Sequence, residues 1–135
     1  MTTTRLFIVR HAEHVKPGET NLSRVGSLQA AALAETFRTS KTKFDAIYAS
    51  SRCTETAENI AHALGLPLTI DERLRSWQGG AITGLTKEQV KEKLPDIYLH
   101  RYIERDPEFR VSPDAENLKE RYNRVDDFLK SIVHG

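Results

Sequence analysis

Short apolar runs alternate with helix-length segments in the first half of the chain, and this alternation constrains the fold most. The runs with strand character are Arg5–Val9, Ala46–Ser50 and Leu68–Ile70. The order strand, helix, strand, helix, strand predicts an α/β fold with parallel strands and helical crossovers. Because the first run is so apolar, we expect Arg5–Val9 to be a buried strand.

The two helices between these strands are predicted by their end signals. Ser23 is expected to cap a helix over about Arg24–Thr39, where apolar residues fall at helical spacing. A second helix is expected from about Arg52 to Leu64, with Gly65 closing it as the C′ residue. Each helix follows a predicted strand, as a βα unit requires.

The second half is less regular. No clear period runs through Arg75–Gly84, whose glycines indicate a loop. Thr86 and Gln89 have capping-box spacing at the start of a short helix that Pro95 interrupts. The span 96–113 is polar and weakly patterned. A final helix is predicted from an apolar stripe made of Leu118, Tyr122, Val125, Phe128, Leu129 and Ile132.

Length and charge exclude several classes of protein. The 135 residues suit a single domain over 1–135, and 20 Lys plus Arg balance 19 Asp plus Glu, so no nucleic-acid partner is expected. No run approaches the roughly 20 apolar residues of a membrane span. The single cysteine, Cys53, and the lack of a secretory leader predict a cytoplasmic protein.

The candidate chemistry begins where the first apolar run ends, at Arg10 and His11. Ligands of open α/β sheets collect beyond the carboxyl ends of the strands. A neutral imidazole has a free lone pair near neutral pH, and it acts as a nucleophile when its other nitrogen is held by an acceptor. The adjacent guanidinium forks onto phosphate oxygens. The pair alone fits a structural role as well as a functional one.

A second cation stands at the equivalent place after the second strand. Arg52 opens the following helix, so it is expected at the rim of the same crevice as His11, where helix N–H groups attract anions. A cation there opposes the helix dipole, which favours a functional role over a solvated one. A cysteine phosphatase would need an arginine six positions after Cys53, where the chain has Asn59.

Several stretches, in this order and spacing, carry a family resemblance: Arg10-His11-Ala12-Glu13, Leu22-Ser23 with Gly26, Gln29 and Ala30, the Ser51–Ala57 segment, Glu72-Arg73-Leu74-Arg75, Gly84-Leu85-Thr86 and the Pro113–Leu118 segment. Together they resemble the histidine phosphatase superfamily, the phosphoglycerate mutase-like phosphatases and mutases. The resemblance implies a three-layer fold, with a mostly parallel sheet flanked by helices.

The resemblance also implies a reaction. His11 would be phosphorylated by a small phosphate ester, Arg10 and Arg52 would hold the phosphoryl oxygens, and water or an acceptor hydroxyl would remove the group. The expected activity is phosphate-monoester hydrolysis, with mutase activity as the related alternative. No metal or other cofactor is expected. A metal site at His11 and His14 would need further ligands, and His14 is expected to be a loop residue.

The sequence departs from the family pattern in two places. The family's second catalytic histidine follows a later strand, whereas His134-Gly135 directly follows the predicted last helix and is expected to be a frayed end. Many members place a glutamate after the Leu-Arg pair, where this chain has Ser76, a poor general acid. Glu13, Ser76 and Glu116 are therefore the candidates for a substrate or acid role, with Glu72 a further nearby carboxylate.

These departures leave two functional readings. In one, the chain is an incomplete form of the enzyme, with the C-terminal part of the fold missing, whose sheet is completed by rearrangement, a second copy or a partner segment. In the other, it is a catalytically inactive phosphate-binding or interaction module that keeps Arg10, His11 and Arg52. The sequence does not identify the substrate, because specificity would reside in loops and in the span 75–113.

Overall fold

The computed structural model describes residues 3–133, which pack as two units, one ending at Arg75 and the other starting at Ser76. The first unit holds a pair of parallel strands with helices, and the second is helical. One domain over residues 1–135 stays a prediction. The helices and strands are, in chain order, α1 (Arg24–Thr39), β1 (Ile47–Ala49), α2 (Thr54–Leu64), β2 (Leu68–Ile70), α3 (Lys87–Lys93), α4 (Pro95–Tyr98) and α5 (Leu118–Val133).

Helix α1 forms over the predicted residues, and its cap is the predicted one. The Ser23 hydroxyl accepts a hydrogen bond from the Gly26 N–H at 2.9 Å, which satisfies one of the free donors of the first turn. Ala30 and Ala34 are buried, and α1 packs against α2, where Ala57 and Ala61 are buried. The small side chains on both helices allow this close contact.

The βαβ unit predicted from the second and third apolar runs is confirmed. Strands β1 and β2 are parallel, with Ile47 opposite Leu68 and Ala49 opposite Ile70. Helix α2 connects them and packs against both. It ends at Gly65, whose φ of 65° is the left-handed conformation that glycine adopts at no steric cost.

The strand predicted over Arg5–Val9 is wrong for this structure. Residues 3–13 belong to no strand, and Ile8 is 95% exposed rather than buried. A strand needs a hydrogen-bonding neighbour, and here β1 pairs with β2 while the first run is held by side-chain contacts instead. The Phe7 ring makes edge contacts with Phe37 and Phe44, at centroid distances of 6.2 and 5.0 Å.

The second unit forms around its own apolar cluster. The predicted capping box is present, since the Gln89 N–H donates to the Thr86 hydroxyl and the Thr86 N–H donates to the Gln89 side chain. Helix α3 ends at Lys93, and α4 begins at Pro95, because proline fits the first turn of a helix. The buried members of the cluster are Ile82, Val90, Val111 and Ala115.

The span 96–113 is more ordered than its polar sequence predicts. A π-helical turn over Leu99–Glu104 continues from α4, and Tyr102 packs against the apolar cluster. In α5 the predicted stripe is buried unevenly, since Phe128 is 5% exposed and Tyr122 is 70% exposed. None of the helices within residues 3–133 combines the length and apolar character that crossing a bilayer requires.

Candidate active site

His11 lies in the irregular segment after the first apolar run, and its ring is oriented by the backbone. The Nδ1 atom is 2.7 Å from the carbonyl oxygen of Ala12. A carbonyl oxygen only accepts hydrogen bonds, so Nδ1 carries the proton of the neutral ring. The Nε2 atom then has its lone pair free, which is the state that a nucleophilic imidazole requires.

Helix α1 clamps the residues that follow His11. The Glu13 N–H donates to the Gln29 side chain at 3.0 Å, and the Glu13 carbonyl accepts from the Ser23 N–H at 2.9 Å. Gly26 lies so close that a Cβ there would overlap the Glu13 carbonyl oxygen. Glycine at this position therefore lets α1 approach the backbone of the His11 loop.

The start of α2 holds the same loop from another side. The buried Thr56 hydroxyl accepts from the Ala12 N–H at 3.0 Å, and the Glu55 carboxylate accepts from the Leu22 N–H at 2.9 Å. Arg52 lies in the 3₁₀ turn Ser51–Cys53 that directly precedes α2. These two hydrogen bonds bring the start of α2, directly after the turn that carries Arg52, against the loop that carries His11.

The turn that carries Arg52 is tied to the segment after β2. The Ser51 N–H donates to the Glu72 carboxylate at 2.7 Å. This hydrogen bond favours the ionised carboxylate, and it lowers the pKa of Glu72 from its usual value. Arg52 is thus carried by a turn whose backbone is fixed on both sides.

A second histidine, His14, lies against His11. The two imidazole rings stack with centroids 4.0 Å apart and planes 12° apart. Burial lowers the pKa of His14, and the neighbouring His11 and Arg52 side chains lower it further. Glu55 and the Glu19 backbone act in the opposite direction. His14 therefore favours the neutral form next to His11.

The phosphate-binding residues expected from the sequence lie at this loop and turn. Arg10 precedes His11 directly and is exposed, and Arg52 is exposed at the start of α2. The His11 loop and the start of α2, directly after the turn of Arg52, are thus joined by hydrogen bonds, and the phosphate-binding role of Arg10 and Arg52 stays a prediction.

The candidates for a substrate or acid role lie in different surroundings. Glu13 accepts a hydrogen bond from the Ser23 hydroxyl at 2.7 Å and is exposed. Ser76 is exposed at the start of the second unit. Glu116, also in the second unit, is buried and bound by the Arg124 guanidinium through two nitrogens. Their roles stay predictions, and His134 lies outside the described residues.

The sequence pattern did not identify the residues that fix the loop. Thr56, Glu55 and Gln29 occur in the stretches that carry the family resemblance, but spacing alone did not assign them to the backbone N–H groups of 12, 22 and 13. His14 was expected to be an ordinary loop residue. Within residues 3–133 no group of three or more His, Cys, Asp or Glu side chains could hold a metal ion.

Comparison with known sequences agrees with this arrangement. The sequence profile of the histidine phosphatase superfamily (branch 1) matches residues 6–135. Phosphoserine phosphatase 1 of Hydrogenobacter thermophilus is 32% identical over 95% of this chain, and the chain spans 64% of that protein. The match therefore covers nearly all of this chain but less than two thirds of the relative.

Solved structures likewise match most of this chain and about half of their own length. Mycobacterial hydrolase 1 superposes with a TM-score of 0.68 at 27% identity, over 84% of this chain and 53% of that one. Mycobacterial glucosyl-3-phosphoglycerate phosphatase in complex with inorganic phosphate gives a TM-score of 0.64 at 27% identity, over 84% and 54%. The expected α/β class with parallel strands is confirmed, although the sheet within residues 3–133 has two strands.

Proposed function

Because the chain belongs to the histidine phosphatase superfamily, we propose that it hydrolyses small phosphate monoesters through a phosphohistidine at His11. The observation that carries the proposal is the orientation of the His11 ring. Its Nδ1 is engaged by the Ala12 carbonyl, so Nε2 has a free lone pair at a loop that also meets the turn of Arg52. A nucleophile and a cation then face one anion.

The reaction follows from these groups. His11 Nε2 attacks the phosphorus atom, the N–P bond forms, and the ester P–O bond breaks as the leaving oxygen takes up a proton. Arg10 and Arg52 stabilise the charge on the phosphoryl oxygens, where most of the catalytic effect arises. Water then attacks phosphorus, and the N–P bond breaks to release inorganic phosphate. Glu13, Ser76 and Glu116 stay the proposed candidates for the proton donor.

The substrate class is proposed from the relatives. Two of the similar proteins named above are a phosphoserine phosphatase and a glucosyl-3-phosphoglycerate phosphatase. Both names describe monoesters of small polar alcohols. We propose a substrate of that kind, hydrolysed in the cytoplasm without a metal ion, because two guanidinium groups supply the charge that a metal would otherwise provide.

Turnover of p-nitrophenyl phosphate in the presence of excess EDTA tests the proposal. His11→Ala is expected to abolish it, and Arg52→Ala to lower kcat by about 10²–10³-fold, as loss of one transition-state donor does. His62→Ala is the matched control, because His62 is an exposed histidine on α2. Unchanged turnover in His11→Ala would contradict the proposal. Binding of vanadate without any turnover would instead select the inactive phosphate-binding module.

A further inference from the structure

The stacked histidine pair contains a polar atom that the loop leaves unsatisfied. His14 Nε2 is sealed from solvent, and among residues 3–133 no group meets hydrogen-bond geometry with it. A buried polar atom without a partner costs about 1–3 kcal/mol, so such atoms call for a specific explanation. Here the atom belongs to a ring that lies parallel to the proposed nucleophile, 4.0 Å from it.

The backbone holds His14 in this position. His14 forms an isolated antiparallel bridge with Leu22, and the Leu22 N–H is bound by Glu55. The Val15 N–H donates to the Asn21 carbonyl at 2.9 Å, which closes the loop between them. The backbone of His14 is therefore held by pairing on one side, and its ring is held by the stack on His11.

We infer that His14 is an anion-binding residue of this site, whose Nε2 takes up a proton when a tetrahedral dianion such as a phosphoryl group arrives beside His11 and then donates a hydrogen bond to it. The inference rests on the proposed function, because it adds a residue to the same site. It deepens that function by making substrate binding depend on proton uptake.

The charges around His14 explain why the proton arrives with the anion. Within the described residues, the His11 and Arg52 side chains disfavour protonation of His14, whereas Glu55 and a backbone hydrogen bond with Glu19 favour it. Burial also disfavours the charged ring. A dianion that neutralises the Arg52 guanidinium and contacts the ring reverses this balance, so binding and protonation strengthen each other by the same factor.

Sulfate is a suitable probe, because it binds to phosphate sites and, unlike phosphate, stays a dianion throughout the neutral pH range. In the wild type, sulfate affinity is expected to rise steeply as the pH falls through the range where His14 titrates. The slope of log Kd against pH gives the number of protons taken up on binding. In His14→Phe, which preserves an aromatic ring for stacking, this slope is expected to be smaller by about one. His62→Phe is the matched control and should leave the slope unchanged. An equal slope in wild type and His14→Phe would overturn the inference.

A measurement on the wild type removes the dependence on how His14→Phe folds. Nitrogen NMR of the labelled histidine rings at neutral pH should show His14 Nε2 changing from a lone-pair to a protonated nitrogen as sulfate is added. An unprotonated Nε2 at saturating sulfate would overturn the inference. Neither readout uses turnover, so a protein that binds sulfate in this way without hydrolysing esters would refute the proposed function alone.

Discussion

Two short apolar segments of the first unit each lead into a residue of the candidate site, and their structures differ. Ile47–Ala49 is a strand that pairs with β2 and is backed by α2, whereas Leu6–Val9 pairs with no strand and has Ile8 95% exposed. Yet the residues after both segments are equally well fixed. The Ala12 N–H is bound by Thr56, and the Ser51 N–H is bound by Glu72.

The difference shows that His11 is positioned without a hydrogen-bonded strand before it. Helices α1 and α2 contact the loop with a hydroxyl, an amide and a carboxylate, and these side chains accept hydrogen bonds from its backbone N–H groups. The His11 loop is therefore held by tertiary contacts, and the apolar run before it contributes little to its geometry.

A charge placed in each segment should separate them most clearly. Ala49→Asp buries an unpaired carboxylate on β1, where the residue is 7% exposed, and is expected to lower the free energy of unfolding by more than about 3 kcal/mol. Ile8→Asp adds the same charge at an exposed position and should change it by less than about 0.5 kcal/mol. Urea denaturation followed by circular dichroism measures both. Equal losses would mean that Leu6–Val9 is buried in solution.

Gly26→Ala tests the clamp on the His11 loop with a smaller effect. Alanine normally stabilises a helix relative to glycine by about 1 kcal/mol. Here the added methyl group would overlap the Glu13 carbonyl, so we expect a loss of about 1–3 kcal/mol in the free energy of unfolding. Ser27→Ala, at the next and exposed position of α1, is the control. A stabilised Gly26→Ala protein would contradict the close approach of α1.

The smallest expected effect concerns pH. Glu72 binds the Ser51 N–H as a carboxylate and has a lowered pKa, so its contribution is present above the usual glutamate pKa of about 4.3 and is lost as the pH falls through the lowered value. Ala12 and Glu13 donate to neutral groups instead. Glu72→Gln should therefore differ in stability from the wild type near neutral pH and converge with it in acid. A constant difference across the range would exclude this linkage.

Much of the fold was predictable from local signals. The capped helix after Ser23, the left-handed end at Gly65 and the capping box at Thr86 depend on residues next to one another, and all three form as predicted. The prediction of a strand over Arg5–Val9 was wrong, because a strand depends on a partner that is distant in sequence. The turn over Leu99–Glu104 was not predicted, because its sequence is polar and has no clear period, although Tyr102 packs against the apolar cluster.

The candidate site divides in the same way. The places of His11 and Arg52 after successive apolar runs predict a shared crevice, and the structure joins the His11 loop to the start of α2, directly after Arg52, through Thr56 and Glu55. The stack of His14 on His11 was not predictable, because spacing within an irregular loop does not fix ring orientation. The hydrogen bond from His11 Nδ1 to the next carbonyl likewise needed coordinates.

Phosphorylation of His11 is tested most directly by trapping the intermediate. The protein is mixed with an aryl phosphate, quenched in alkali within the first turnovers, and mapped by mass spectrometry. We predict an alkali-stable, acid-labile phosphoryl group on His11, absent from His14 and His62 and absent altogether in His11→Ala. Turnover that proceeds with no phosphohistidine, or with the phosphoryl group on another residue, would contradict the assignment of His11 as nucleophile.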